Sequence, residues 1–258
     1  MAKNNPRHLI QLPLRLLRFV IAWAFMIIYW PVILGLHLLI LKRTPPLIMM
    51  RAIRLWARAT FKILKIRIHV LNPSTFETIE ARVVICNHQS TLDLPWGGYI
   101  CPPSPVTIGK KEVIWIPILN LMFWALDFIR IDRANTAKAL ASLEGVADRI
   151  RKDRRSLVVA PEGTRSPTGE LLPFKKGAFH IAIQAQAPIH PVVVHGAFEC
   201  LPKSRFLPVP GDIYIQFLDP ISTVGLVPTQ AGELSFKTES LVRQALQKLR
   251  ASYPLGQN

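Results

Sequence analysis

The segment Val83–Asp93, with the sequence VVICNHQSTLD, joins an apolar run to a polar one. Its first four residues are apolar and mostly β-branched, which predicts a short buried strand. His88 and Asp93 follow where the strand gives way to a predicted loop. Functional sites in open α/β sheets gather at the carboxyl ends of strands, so we expect both side chains at such a site.

The pair His88 and Asp93 has the chemistry of a general base and its orienting carboxylate. Histidine has an ordinary pKa of about 6.5, so it can accept a proton at neutral pH. Asp93 is near enough in sequence to fold back onto one ring nitrogen, which would fix the tautomer and stabilise the imidazolium. The pattern predicts a base that deprotonates a hydroxyl. The alternative is a helix-capping aspartate beside a structural histidine.

The composition of the chain limits the class of its partners. Its 258 residues are 50% hydrophobic and carry a formal net charge of +16. Such charge attracts polyanions, and the hydrophobicity favours lipid. Nucleic acid is disfavoured as a partner, because the core sequence has no known reader motif. Cys86, Cys101 and Cys200 have no paired spacing, so we predict neither disulfides nor a metal site, and a reducing cytosolic setting.

The N-terminal region has the composition of a membrane-associated element. The run Phe19–Leu41 is uncharged and about as long as the ~20 residues that cross a bilayer core. Pro31 predicts a kink, and a bend there would keep Tyr29 and Trp30 near the lipid headgroups. Cations on both sides predict a bent hairpin that dips into one leaflet from the cytoplasmic side. A single true span is the alternative.

A second helix is predicted from Leu47 to about Ile66. Its cations recur every three or four residues and therefore share one face. A basic amphipathic helix of this kind lies in the plane of a membrane surface. The alternative is a helix packed on the catalytic domain with its basic face in water. The cations of this face are Arg51, Arg54, Arg58, Lys62 and Lys65.

The chain from residue 67 onward alternates predicted strands with predicted helices, which indicates an α/β sheet covered on both faces. We therefore divide the chain into a two-helix element, residues 1–66, and a catalytic domain, residues 67–258. The predicted strands are Ile66–Val70, Arg82–Cys86, Val106–Ile108, Phe128–Ile131, Ser156–Ala160, Ile189–Val194 and Ile213–Leu218. The predicted helices are Ile114–Leu126, Thr136–Arg151, Gly177–Gln186 and Gly232–Arg250.

Three further segments place Lys or Arg at the end of a predicted strand. They are Ile108–Glu112, Phe128–Arg133 and Leu157–Arg165. If these strands end at the same edge as His88, their cations converge there. Guanidinium groups bind phosphate bidentately and ammonium groups act as point charges. The pattern predicts a phosphate site, with isolated surface cations as the alternative.

These blocks resemble the glycerolipid acyltransferase family, and within it the bacterial 1-acyl-sn-glycerol-3-phosphate acyltransferases. His88 and Asp93 match the family's first block, His-x4-Asp. Lys110 and Arg133 match the ends of the second block. The third block, Glu162–Arg165, matches in full.

The resemblance extends over most of the chain. Pro188–Val193 is similar to the family's fourth block, an apolar proline-rich strand. The blocks occur in the family's order over about residues 67–220. Residues 1–66 resemble the family's N-terminal two-helix membrane element. The resemblance implies a mixed sheet flanked by helices.

The activity that the resemblance implies is acyl transfer from a thioester, acyl-carrier protein or acyl-coenzyme A, to the 2-hydroxyl of lysophosphatidic acid. The product would be phosphatidic acid, formed at the cytoplasmic side of a bacterial inner membrane, with no cofactor and no metal. By the same resemblance His88 is the base and Asp93 orients it. The phosphate-binding set would be Lys110, Arg133, Glu162, Gly163, Thr164 and Arg165, of which Glu162 and Thr164 would shape the loop.

Three alternatives remain open from the sequence. The acceptor could be another lysophospholipid or an amino-acid lipid. The protein could bind anionic lipid without catalysis, although binding alone needs no base. Cys86 lies two residues before His88 and could form an acyl-enzyme. A small buried hydrophobic residue is the other interpretation of this cysteine.

Overall fold

The computed structural model describes residues 6–39, 46–72, 78–110, 129–131 and 136–255. A short 3₁₀ turn, Pro228–Gln230, precedes the last helix. In chain order the helices and strands are α1 Pro6–Leu39, α2 Pro46–Leu64, β1 Ile66–Val70, β2 Arg82–Cys86, α3 Asp93–Tyr99, β3 Pro105–Lys110, β4 Ile129–Ile131, α4 Thr136–Lys152, β5 Ser156–Val159, α5 Gly177–Ala185, β6 Ile189–His195, α6 Ala197–Cys200, β7 Gly211–Phe217 and α7 Ala231–Ser252.

The described strands form one seven-stranded mixed sheet in the order β1-β7-β6-β2-β5-β3-β4. The β6–β7 pair is antiparallel, and the other neighbouring pairs are parallel. Strands β1 and β7 therefore run opposite to the rest. Their amino ends lie at the edge where the carboxyl ends of β2, β5 and β6 meet. The mixed sheet predicted from the sequence is confirmed.

Strand β2 lies in the middle of this sheet and is buried over its whole length. Because side chains alternate along a strand, Val83 and Ile85 face one core and Val84 and Cys86 face the other. Helices α4, α5 and α7 cover the first face. Parts of α2 and α3 cover the second. Burial on both faces explains why the strand is a continuous apolar run.

The predicted elements of the catalytic region are present wherever the structure describes them, with small shifts at their ends. The predicted helix Ile114–Leu126 lies outside the described residues. Helices α3 and α6 were not predicted. We expected a loop at α3 because of Pro95 and the glycines after it. Pro95 lies in the first helical turn, where its missing N–H costs nothing, and Trp96, only 1% exposed, anchors the helix in the core.

Helix α1 is continuous through Pro31 and packs against α2. The Tyr29 hydroxyl donates to the Ala52 carbonyl at 2.8 Å. Trp30 is 1% exposed, and its ring packs edge-on against the Trp56 ring with the two centroids 5.7 Å apart. The Trp30 ring therefore fills the space between the two helices, and its depth in a bilayer stays a prediction. Residues 11–36 of α1 are long and apolar enough to cross a membrane, by length and composition alone.

Helix α2 separates an apolar face from a basic one. Met50, Ile53 and Trp56 are buried, whereas Arg51, Arg58 and Lys62 are exposed. The helix crosses α3 at Gly98. A Cβ there would lie 3.3 Å from side-chain atoms of both Ile53 and Trp56, so glycine permits the close contact.

Candidate active site

The His88 and Asp93 side chains meet at the carboxyl end of β2. The chain leaves the strand at Cys86, and Asp93 begins α3. His88 Nδ1 lies 2.6 Å from Asp93 Oδ2. The histidine side chain is 31% exposed and the aspartate side chain 11%. Among the described residues nothing hydrogen-bonds to Nε2 of His88, so this nitrogen can meet a substrate hydroxyl.

The Asp93 carboxylate is fixed by three further donors. The backbone N–H groups of Gln89 and Ser90 donate to Oδ2 at 2.8 and 3.1 Å. The buried Trp96 indole donates to Oδ1 at 2.7 Å. Because α3 carries both Asp93 and Trp96, the helix that the sequence did not predict is the element that positions the carboxylate.

The other polar side chains of the segment Asn87–Asp93 bind the surrounding backbone. The Asn87 amide donates to the Val194 carbonyl and accepts from the Val194 N–H, both at 2.8 Å. Gln89 Nε2 donates to the Gly169 carbonyl at 2.6 Å. Ser90 Oγ donates to the Leu201 carbonyl at 2.7 Å. These side chains hold the segment in place, and none of their bonds involves the His88 ring.

Glu162 fixes the histidine backbone from the opposite loop. Its Oε1 accepts from the His88 N–H at 2.6 Å, and its Oε2 accepts from the Leu172 N–H at 2.8 Å. Burial raises the pKa of this carboxyl to about 7, against the two backbone hydrogen bonds, which lower it. Both oxygens are occupied by backbone donors, so we interpret Glu162 as a positioning residue and not as a phosphate ligand.

The loop after β5 brings its cations to the same place. Gly163 has a φ of +70°, in the left-handed region that favours glycine. Arg165 Nη1 donates to Thr91 Oγ1 at 2.5 Å, which joins this loop to the segment Asn87–Asp93. Thr164 is exposed beside it. A further bond runs from the Ser166 N–H to the His88 carbonyl at 2.9 Å.

Lys175 is a candidate that the sequence interpretation left without a role. A Cβ built on Gly163 would lie 3.0 Å from Lys175 Nζ, so the ammonium group lies directly over the glycine. Its backbone N–H donates to the Pro161 carbonyl at 2.9 Å. The signal was available in the sequence, because Phe174–Gly177 follows the third block. How this segment folds back over Gly163 could not be predicted from the sequence.

The predicted cation Lys110 ends β3 at the same edge. Register places Thr107 level with Val158, and Val158 level with Val84. Lys110 is three residues further along and therefore level with the start of the segment Asn87–Asp93, two strand spacings or about 10 Å away. The structure describes only the backbone of Lys110, and Arg133 lies outside the described residues.

Cys86 is a poor candidate for a nucleophile. Its thiol belongs to the core on the α2 side of the sheet and donates weakly to the Val159 carbonyl at 3.7 Å. Burial raises the pKa of the Cys86 thiol well above its ordinary value. The reactive thiolate is therefore disfavoured. His88 lies beyond the end of the strand, so alternation along β2 does not place the two on one face.

An apolar cavity of about 230 Å³ lies next to this site. Helices α1, α2 and α3 and the loop after α6 form its walls. Thr91 and Leu92, from the segment that holds His88, line one end. In the described part of the chain, His, Cys, Asp and Glu side chains form no group that could hold a metal ion.

Comparison with known families adds to this geometry. A family model described as Acyltransferase matches residues 67–195, which is half of the 258-residue chain. The chain belongs to this acyltransferase family. The resemblance drawn from the motif blocks is thereby confirmed, and the matched region contains His88, Asp93 and Glu162–Arg165.

Two curated acyltransferases show how far the likeness extends. A 1-acyl-sn-glycerol-3-phosphate acyltransferase of Cocos nucifera is 40% identical over 156 residues, covering 59% of this chain and 51% of that one. The chain thus spans about half the length of this relative. An enzyme of the same name from Haemophilus influenzae is 31% identical over 194 residues, covering 75% and 80%.

One solved acyltransferase structure has the same fold. It is the 1-acyl-sn-glycerophosphate (LPA) acyltransferase PlsC of Thermotoga maritima, with a TM-score of 0.82 at 24% identity. The match covers 96% of this chain and 100% of that chain. The likeness includes the N-terminal helices as well as the sheet.

Proposed function

We propose that this acyltransferase moves an acyl chain from a thioester to the sn-2 hydroxyl of lysophosphatidic acid and so forms phosphatidic acid. The observation that carries the proposal is the His88–Asp93 pair, which leaves the second imidazole nitrogen at the open edge of the sheet. The names of the relatives from Cocos nucifera and Haemophilus influenzae support this acceptor.

The proposed reaction is a direct transfer. His88 Nε2 takes the proton of the acceptor hydroxyl as its oxygen bonds to the thioester carbonyl carbon. Asp93, bonded to Nδ1, stabilises the imidazolium that forms. The tetrahedral intermediate then collapses, the carbon–sulfur bond breaks, and the imidazolium returns the proton to the departing thiolate. This route needs no cofactor and no enzyme thiol, which agrees with the buried Cys86.

The acceptor phosphate is proposed to bind the cations at this edge. Arg165 is tied to Thr91, next to the catalytic pair, and Lys175 lies over Gly163. The backbone register supports Lys110 as a third cation, and Arg133 stays a prediction from the motif. A monoester phosphate carries between one and two negative charges at neutral pH, so a cluster of cations is a suitable receiver. Holding the phosphate would also position the 2-hydroxyl.

The substrate is proposed to reach the site from a bilayer. Residues 1–66 would act as the membrane-associated element and residues 67–258 as the catalytic domain. The outward side chains of α1 support this, since Val20, Ile27 and Ile28 are all more than half exposed. The neighbouring apolar cavity would take hydrocarbon. We place the protein at the cytoplasmic side of a bacterial inner membrane, where acyl-acyl-carrier protein and acyl-coenzyme A are available as donors.

Product identification with the purified full chain tests the proposal. The acceptors would be lysophosphatidic acid, lysophosphatidylcholine and uncharged monoacylglycerol, each with acyl-carrier-protein and coenzyme A thioesters. We expect phosphatidic acid from lysophosphatidic acid with at least one donor, and far less of it from His88→Ala. If monoacylglycerol were acylated as fast as lysophosphatidic acid, the proposed phosphate site would be wrong. If folded protein transferred no acyl chain to any acceptor, the proposed activity would be wrong.

A further inference from the structure

A loop of the catalytic domain projects an aromatic ring into solvent. Residues 201–210 connect α6 to β7, and the Val209 N–H donates to the Cys200 carbonyl at 2.8 Å, which closes the base of the loop. The Arg205 N–H donates to the Pro202 carbonyl at 3.0 Å and forms a turn near the tip. Phe206, next along, is 77% exposed. A large apolar ring on an ordered loop is costly to leave in water.

This loop shares a surface with helix α1. The Phe206 ring packs edge-on against the Phe19 ring, with the centroids 5.0 Å apart. The Phe19 ring packs in turn against the Trp23 ring, with the centroids 6.1 Å apart. Arg15 of α1 donates to the carbonyls of Pro208 and Leu207 at 3.2 and 3.3 Å. The outward apolar face of α1 therefore continues onto the catalytic domain. Its exposed side chains on α1 include Leu12, Leu16, Val20, Trp23 and Ile27.

The charges around Phe206 suit a lipid surface. Lys203 and Arg205 are exposed beside it, and no acidic residue occurs from Cys200 to Gly211. Aromatic rings with flanking cations favour the interface between acyl chains and anionic headgroups. The loop thus has cations for the anionic headgroups and an apolar ring for the acyl chains, and it continues the apolar face of α1.

We propose that the loop Pro202–Pro208 inserts Phe206 into the same leaflet that α1 contacts, so that the catalytic domain makes its own attachment to the membrane. This inference rests on the membrane association in the proposed function. The base of the loop is also tied to the catalytic segment, because Ser90 Oγ donates to the Leu201 carbonyl. The attachment therefore gives the catalytic domain a second contact with the lipid, beside the N-terminal helices that pack on it, and both contacts fix the height of His88 above the lipid.

Site-specific labelling tests this attachment. Cys86, Cys101 and Cys200 are buried, so a cysteine placed at an exposed position takes a thiol-reactive fluorophore selectively. We would label Phe206→Cys and, as the matched control, Phe236→Cys. Phe236 is 74% exposed on α7, which covers the opposite face of the sheet. Vesicles of phosphatidylcholine and phosphatidylglycerol would carry a quencher on their acyl chains.

We expect a blue shift and quenching of the probe at position 206 and neither at position 236, with co-sedimentation measured in the same samples. Phe206→Ser should weaken vesicle binding by roughly tenfold or more, and Phe236→Ser should not. If the protein sediments with vesicles but the probe at 206 stays unquenched, the loop inference is wrong and the membrane association stands. If the protein does not sediment at all, both fail.

Discussion

The segment Asn87–Asp93 and the loop Glu162–Arg165 meet at one site, and they are held in different ways. On the histidine side, Asn87, Gln89, Ser90 and Asp93 all bond to backbone or to buried groups. On the loop side, the carboxylate of Glu162 is equally fixed, but Thr164 and the nearby Lys175 are exposed. The Arg165 guanidinium donates to the Thr91 hydroxyl.

This difference agrees with the roles proposed for the two sides. A general base must sit within hydrogen-bond reach of one proton, so a small displacement removes its effect. A cation acts on phosphate over a longer range and tolerates some movement. We therefore expect changes on the histidine side to lower kcat and changes on the loop side to raise KM. The following substitutions test that division in order of expected effect.

The largest effect should come from His88→Ala. Removing the base should lower kcat by about 10² to 10⁴ while the protein stays folded. His180→Ala is the matched control, because His180 lies on α5, which covers the face of the sheet opposite to α3. The measurement is initial rate with saturating substrates, with thermal unfolding as the check on folding. Near-normal turnover in folded His88→Ala protein would exclude the base mechanism.

Arg165→Ala should act mainly on acceptor binding. Loss of a charged hydrogen-bond donor is worth about 1.5–3 kcal/mol, so kcat/KM for lysophosphatidic acid should fall about 10- to 100-fold. Most of the loss should be in KM. Arg165→Lys should recover only part of it, since an ammonium group lacks the planar fork.

The control for this arginine is Arg151→Ala, at the end of α4, where Arg151 pairs with Asp148 at the amino edge of β5. It should leave both kinetic constants unchanged. If Arg165→Ala lowered only kcat, or raised only the KM of the thioester, the division between the two sides would not hold.

Glu162→Gln should have a smaller effect, and one that depends on pH. Burial raises the pKa of this carboxyl from 4.5 to about 7. The folded state then binds more protons than the unfolded state between these values, so the stability from this group falls as pH rises from about 4.5 to about 7. Glutamine does not titrate, so the variant should lose this slope.

Thermal unfolding of both proteins in detergent, at pH values across that window, measures the slope. Glutamine has one acceptor oxygen where the carboxylate has two. It can therefore accept from only one of the His88 and Leu172 N–H groups, and the other loses its partner. That loss costs about 1–3 kcal/mol at high pH. An unchanged pH dependence in Glu162→Gln would mean that another group is responsible.

Cys86→Ala should have the smallest effect on catalysis. The thiol is buried and its pKa is raised, so no step depends on it. We expect kcat close to that of the wild type and a slight loss of thermal stability from the smaller side chain. Mass spectrometry of wild-type protein mixed with donor alone checks the covalent route. An acyl group trapped on Cys86 would replace the direct transfer with an acyl-enzyme.

The sequence predicted those features that depend on local pattern or on family motifs. The buried β2 run, the His88–Asp93 spacing and the cations at strand ends could all be read from it. The hydrogen bond from the His88 N–H to Glu162 could not be predicted, because it joins residues 74 positions apart. The place of Lys175 over Gly163 depends in the same way on how a loop folds back. Helix α3 was missed because proline and glycine are ambiguous without knowledge of what Trp96 packs against.

The separations in sequence of the hydrogen bonds around His88 also set an order of assembly. Glu162 reaches back 74 residues, Asn87 forward 107 and Ser90 forward 111. Contacts of such range close large loops and form late in folding. The contact between α1 and α2, in which Trp30 packs against Trp56, joins residues much closer in sequence and needs none of them. During synthesis the N-terminal helices can thus reach a lipid surface while the chain that completes the active site is still being made. The nascent enzyme would gain its location before it gains its activity.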